Sequence, residues 1–261
     1  MNPTPLLQFD NVTKHFGGLA VITDLSFDVQ KGERLALIGP NGAGKSTVFN
    51  LISGVYPIDR GRICVDGVDI TNVPSRKRIY SGISRSFQNI RLVEHQTVIE
   101  NVLLGQHPTA SSLVDLLHPG RLSKKRRWVQ EAREALNQAG LTQYADLPVG
   151  ALPYGVRKRV DLVRAVIAKP KLLLLDEPAA GLNPVETDEL QRQLQDIHKS
   201  GITLLVVEHD MHFVDQLCTR VVVINFGNKI GEGSMKEIRQ NRLVREAYLG
   251  ADVAEGAQHA A

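Results

Sequence analysis

GPNGAGKST, residues 39–47, is the stretch whose residue types are most narrowly suited to chemistry. It matches G-x-x-x-x-G-K-[ST], with the apolar run RLALIG leading into it and a helical pattern after it. Gly42 and Gly44 let the backbone wrap so that successive N–H groups converge on phosphate oxygens. Lys45 can reach terminal phosphates, the Ser46 hydroxyl can ligate Mg2+, and the helix start adds partial positive charge. Gly39, Pro40, Asn41, Ala43 and Thr47 complete the loop. The spacing predicts a nucleotide-phosphate site.

A pair of acids supplies the next part. In KPKLLLLDEPAAGLNP four leucines bury a strand, and Asp176 and Glu177 emerge at its C-terminal edge, where parallel sheets bind ligands. Asp176 can hold a metal shell while Glu177 polarises an attacking water. VVEHD repeats the geometry one strand later and brings His209 to a strand end. SRSFQN ends another strand with Gln88, whose amide can touch metal or water. Alone, the histidine and the glutamine carry little.

ALPYGVRKRVDLVRA, residues 151–165, looks like a second anion site: Tyr154 and Gly155 open a helix beside four basic side chains. Val156, Val160, Val163 and Ile167 form its inward stripe and Pro170 stops it. A merely solvated basic helix start accounts for Arg157, Lys158 and Arg164 but leaves Gly155 unexplained.

These residues need a frame. LLQFD and LSFDV alternate as strands, and Asp66-Gly67 marks a hairpin. KLLLLDE, ITLLVV and RVVVINF read as strands buried on both faces. Capping signals occur at Thr97 with Glu100, at Ser123, at Asn183-Pro184-Val185-Glu186 and at Ser234 with Glu237. Val129, Ala132, Leu136 and Ala139 form one helical stripe ending at Gly140. HPTASSLVDLLHPG reads as an irregular insertion and 251–261 as a disordered tail. The expected fold is α/β: a parallel-sheet core with helices on both faces, an antiparallel β part at the N-terminus, and an inserted helical subdomain. The expected division is a single domain over 1–250, with a core of 1–88 and 159–250 and a helical subdomain of 89–158.

With 261 residues the chain can bury a sizeable core, and a net charge of +3 does not argue for nucleic acid. Cys64 and Cys218 match no metal spacing and read as core thiols. No signal peptide is recognisable, and no window has the roughly 18 apolar residues needed to span a bilayer.

Taken in order, these segments resemble the ATP-binding subunit of ABC transporters, over nearly the whole chain to about Gly250. The resemblance implies a P-loop NTPase core, ATP and Mg2+ as cofactors, and an adenine-stacking aromatic at Phe16 with Val21 beside it. It implies a metal-contacting glutamine at Gln88, with Ser46 and Asp176 as the other metal residues. Glu177 would be the catalytic acid and His209 the switch histidine. Gly181, Leu182 and Asn183 would form the loop after the acids. Leu152, Pro153, Tyr154, Gly155 and Val156 would form a signature loop serving the nucleotide of a second ABC ATPase subunit.

Two departures from the family pattern stand out. LPYGV replaces LSGGQ, so Pro153 lacks a hydroxyl whose bond to a charged group contributes about 1.5–3 kcal/mol. Asn183 stands where aspartate is usual. FGGLAV, DEPAAGLNP and the ending EAYLG resemble the LivG-type subgroup of branched-chain amino-acid importers. That subgroup implies transmembrane permease partners, a periplasmic binding protein met indirectly, and a place on the inner face of the cell membrane. Urea, other amino acids and lipopolysaccharide remain alternative cargoes, and a non-transport ABC switch remains an alternative role. The latter would use the basic clusters RKR at 76–78 and KKRR at 124–127 for nucleic acid.

Overall fold

The computed structural model describes residues 4–86, 90–106 and 121–248, with the side chains of 121–125 excluded. Gln88, the segment at 107–120 and the tail at 251–261 therefore lie outside the described residues.

Two sheets organise the chain. β1 (Leu7–Phe16), β2 (Leu19–Val29), β4 (Arg60–Val65) and β5 (Val68–Asp69) form an antiparallel sheet in the order β2-β1-β4-β5. The β4–β5 hairpin turns at Asp66 and Gly67, both at positive φ, as a two-residue turn of this hand requires. The larger sheet has the order β10-β9-β3-β8-β7-β6. In it β3 (Arg34–Ile38), β6 (Ile83–Ser86), β7 (Leu172–Asp176), β8 (Thr203–Val207) and β9 (Arg220–Asn225) run parallel. β10 (Asn228–Gly233) adds an antiparallel edge.

The described frame is completed by α-helices, among them α1 (Lys45–Ile52), α2 (Ser75–Arg78), α3 (Val98–Leu104), α4 (Arg121–Gln138), α5 (Tyr154–Val166), α6 (Pro184–Lys199), α7 (Met211–Leu217) and α8 (Met235–Gln240); residues 242–248 are also helical. Leu172 to Leu175 are buried without exception, which is why that run shows no alternation. One core joins the antiparallel sheet, α1 and one face of the parallel sheet through Phe9, Phe49, Leu37, Leu174 and Val207. A second core lies among α3, α4 and α5 around Val102, Leu136 and Val160. α5 belongs to both worlds, because its Leu162 and Ala165 pack with Leu173, Leu190 and Phe213 in a third core. The helix therefore joins the helical cluster to the sheet rather than lying in one unit.

Three of the capping signals hold: Thr97, Asn183 and Ser234 each form a reciprocal capping box with the acid three residues on. Ser123 lies inside α4, which runs from Arg121, not at its start; Arg, Leu and Lys propagate a helix well enough to override a weak local start signal. Both cysteines are free, Cys64 buried and Cys218 half-buried.

Candidate functional site

The loop after β3 opens α1 at Lys45. Gly44 is the residue before the helix, at φ +103°, and a Cβ there would lie 2.7 Å from Ile22 Cδ1 and 3.1 Å from Val21 O. Val21 thus meets the loop through its carbonyl. Ala43 is buried; its N–H donates to Pro40 O at 3.2 Å and its carbonyl accepts from Gly227 N–H at 3.0 Å. Asn41, Gly42 and Ser46 are exposed and Thr47 is half-buried. The Lys45 ammonium, 6% exposed, donates to Gly39 O at 2.6 Å and Pro40 O at 2.9 Å. Burial lowers its pKa, while Glu177 and Asp176 push the other way, so lysine and acids share one electrostatic field. Phe16 ends β1, 40% exposed, edge-on to Tyr56 at 5.1 Å, with Lys14 Nζ 5.4 Å from its centroid.

The acids stand at the end of β7, beside β8. Asp176 is buried and accepts from Arg85 NH2 at 2.5 Å; Arg85 NH1 continues to Asn50 Oδ1 at 2.7 Å. Ser46 and Asp176 supply hydroxyl and carboxylate oxygens, the hard donors Mg2+ takes, and Asp176 already carries a cationic partner. Glu177 occupies the left-handed region at φ +47°, a conformation that costs a non-glycine residue about 1–3 kcal/mol. Its Oε1 lies 2.8 Å from His209 Nε2, and its N–H donates to Val207 O at 2.9 Å. Between β8 and the histidine, Glu208 is 4% exposed and accepts from Ala179 N–H at 2.7 Å and His209 N–H at 3.0 Å. Burial raises its pKa against the pull of those N–H donors.

The LPYGV segment packs against the chain's own acid loop. Leu152 is buried in the helical core and Val156 lies against it. Pro153 precedes α5 and offers no side-chain cap, so the first turn lacks the usual hydroxyl or carboxylate acceptor. Tyr154, 40% exposed, stands against Gly181: a Cβ on that glycine would lie 3.2 Å from the tyrosine Cε1. A Cβ on Gly155 would lie 2.4 Å from Glu186 Oε1. Leu182 packs on the third core, and Asn183 Oδ1 accepts from Glu186 N–H at 3.0 Å, capping α6.

The basic residues of α5 rule out the solvated helix start that the sequence offered as the alternative reading. They do not form a solvated face. Lys158 is buried and donates to Glu177 O at 3.1 Å and Pro178 O at 3.0 Å. Arg159 pairs with Glu189 at 2.6 Å, and Arg164 bonds Asp161 and Arg91 O, both at 2.5 Å. Basic side chains here staple α5 to its neighbours. Arg78 of the RKR cluster is likewise buried, donating to Leu51, Ile52, Thr71 and Val73 carbonyls.

The structure thus brings Lys45, Asp176, Glu177 and His209 into one field at the C-terminal edges of β3, β7 and β8. Arg85, Lys158 and Glu208 were not singled out as site residues. Lys158 carried a legible signal, since Gly155, Lys158, Leu162 and Ala165 share one helix face that is otherwise apolar. Tyr248 had none: it lies near the Gly39 backbone, and burial raises its pKa to about 12.

Comparison with known proteins agrees with this arrangement. The family described as ABC transporter matches residues 22–180, and the one described as branched-chain amino acid ATP-binding cassette transporter matches residues 228–254. The chain is 38% identical over 250 residues to the high-affinity branched-chain amino acid transport ATP-binding protein BraF of Pseudomonas aeruginosa, covering 94% of this chain and 98% of that one. It is 38% identical over 255 residues to the corresponding LivG protein of Escherichia coli, again covering 94% and 98%. Among solved structures it resembles a nucleotide-free ATP-binding cassette of an ABC transporter with TM-score 0.83 and 31% identity, covering 94% of this chain and 99% of that one. An ADP-state cassette of an ABC transporter gives TM-score 0.83 at 30% identity, covering 95% and 100%. No helix among the described residues is long and apolar enough to cross a membrane. ATP-binding subunits of ABC transporters work with transmembrane permease components. A phosphate loop facing an acid pair and a strand-end histidine, on this fold and with these relatives, places the chain in the ABC transporter family as a nucleotide-binding, ATP-hydrolysing subunit.

Proposed function

We propose that this chain powers uptake of branched-chain amino acids by binding and hydrolysing ATP beneath partner permeases, on the inner face of the cell membrane. The contact that carries the reaction is His209 Nε2 at 2.8 Å from Glu177 Oε1, beside the phosphate loop. Glu177 takes a proton from the attacking water, and His209 orients that carboxylate and faces the γ-phosphate. Residues 39–47 cradle the phosphates, with Lys45 swinging from the Gly39 and Pro40 carbonyls to the anion. Phe16 stacks the adenine and Val21 lines its site. Ser46, Asp176 and Gln88 are the residues that would hold Mg2+, whose charge offsets that developing on the phosphates.

A second ABC ATPase subunit completes the site. Leu152 to Val156 face that subunit's nucleotide through backbone N–H groups at the uncapped start of α5, and Gly181 to Asn183 line the same seam. A core of 1–88 and 159–250 with a helical subdomain of 89–158 then behaves as one ATPase domain. A periplasmic binding protein delivers solute indirectly, and nucleic acid has no part. The cargo reading is supported by the family match at 228–254 and by the printed names of the relatives.

Glu177→Gln tests the chemistry. It should bind ATP as the wild type does, form a trapped dimer and turn over at background rate. Near-normal hydrolysis removes Glu177 from the mechanism, and a trapped variant that stays monomeric with its cognate subunits removes the shared site. Uptake by the reconstituted complex of leucine, isoleucine and valine, but not urea, tests the cargo.

A further inference from the structure

A left-handed glutamate at a strand end persists only where its surroundings over-determine it. Here the surroundings are specific. The N–H of Glu177 is taken by Val207 O, so β8 fixes one side of the residue. Its carbonyl and the next one, Pro178 O, both accept from Lys158 Nζ, at 3.1 and 3.0 Å. The following N–H, at Ala179, donates to Glu208 Oε1 at 2.7 Å, while Glu208 Oε2 accepts from His209 N–H at 3.0 Å. Both side chains are more than nine-tenths buried. The two charges oppose one another across the loop, with Asp161 and Glu177 also facing the ammonium.

We infer that Lys158 and Glu208 are positioning residues for Glu177, a buried lysine from α5 and a buried glutamate from the loop after β8 that grip the peptide groups of residues 177–179. The inference rests on the reading of Glu177 as the residue that activates water, and it deepens that reading. Lys158 sits one helical turn beyond Tyr154, whose ring lies 5.6 Å from its Nζ. α5 starts in the LPYGV loop, so a shift of that loop on meeting a partner's nucleotide moves the cation that holds the chain's own catalytic acid. Glu208 makes the matching link, since one carboxylate takes N–H groups from the acid loop and the histidine loop together. Plain electrostatic compensation of a buried pair does not account for Lys158 spending its donors on two successive carbonyls of the strained turn.

The test uses the full chain assembled with its cognate subunits, measuring ATP affinity with a fluorescent nucleotide and kcat separately. Lys158→Met keeps the length and apolar stem and should lower kcat about tenfold or more while ATP affinity stays within about twofold. Lys158→Arg, which can still donate to both carbonyls, should keep kcat within about threefold of wild type. Glu208→Gln keeps the shape but loses one acceptor, and should lower kcat about fivefold or more at unchanged ATP affinity. It serves in place of Lys158→Met should that variant fail to fold. Wild-type kcat in both Lys158→Met and Glu208→Gln, or a fall in kcat matched by an equal loss of ATP affinity, overturns the inference. If Glu177→Gln itself hydrolyses normally, the reading beneath it fails instead, and the two failures are distinct.

Discussion

Gly155→Ala isolates why this loop needs glycine. The added Cβ would stand 2.4 Å from Glu186 Oε1 and 2.6 Å from its Cδ, so the carboxylate must swing away. That carboxylate is not idle: its Oε2 accepts from Asn183 N–H at 3.0 Å, one arm of the capping box that starts α6. Losing a cap costs about 0.5–2 kcal/mol. Against this, alanine in the first turn of α5 gains up to about 1 kcal/mol over glycine. Together those two ranges run from about 0.5 kcal/mol of stabilisation to about 2 kcal/mol of destabilisation. In a Glu186→Ala background the obstacle is gone, so the same substitution should become neutral or stabilising by up to about 1 kcal/mol. A double-mutant cycle by urea unfolding without nucleotide should therefore show a coupling equal to the cap cost, about 0.5–2 kcal/mol. Additive effects within about 0.3 kcal/mol would refute the clash as the reason for the glycine. ATPase activity adds a second readout. If Gly155 also meets the partner's phosphate through its backbone, adding Gly155→Ala to the Glu186→Ala background lowers turnover although it does not lower stability.

Three further outcomes follow from the geometry. Phe16→Ala should weaken ATP binding by roughly fivefold to a hundredfold, since base–aromatic stacking contributes about 1–3 kcal/mol, and kcat at saturating ATP should hold. Arg78→Ala strips four carbonyls of one buried donor. It should cost about 3 kcal/mol or more and lower Tm by roughly 6–12 °C, read by calorimetry. Asp59 accepts from Lys14 Nζ and His15 N–H, which hold its pKa at about 2 against an ordinary 3.8. Its stabilising contribution is full above its unfolded pKa and is lost as pH falls from about 4 towards 2. The gap in unfolding midpoint between wild type and Asp59→Asn should therefore be open at pH 7 and narrow below about pH 4.

Much of this molecule was legible in one dimension. GPNGAGKST needs its glycines wherever a backbone wraps an anion, and the reading survives at Gly44, where φ and crowding by Ile22 both exclude a side chain. Four successive leucines announce a strand buried on both faces, and Asn183-Pro184-Val185-Glu186 announces a helix start, because these signals are local. What the α5 charges pair with was not legible, for the complementary reason. The spacing of Arg157, Lys158 and Arg164 tells where they sit on a helix but not what stands opposite.

By itself, then, the order of residues determined the strand–loop–helix around the phosphate site, the acid pair, the histidine and the family. Each depends on contacts within a few residues or on a pattern read along one element. The tertiary structure alone decided that Lys158 and Glu208 meet across the acid loop, that Arg85 holds Asp176, and that Tyr248 reaches Gly39 from the far end of the chain. The hydrogen bonds among them join residues 19 to 91 positions apart, and only the folded sheet, by setting which strand edges are neighbours, brings them within hydrogen-bonding distance.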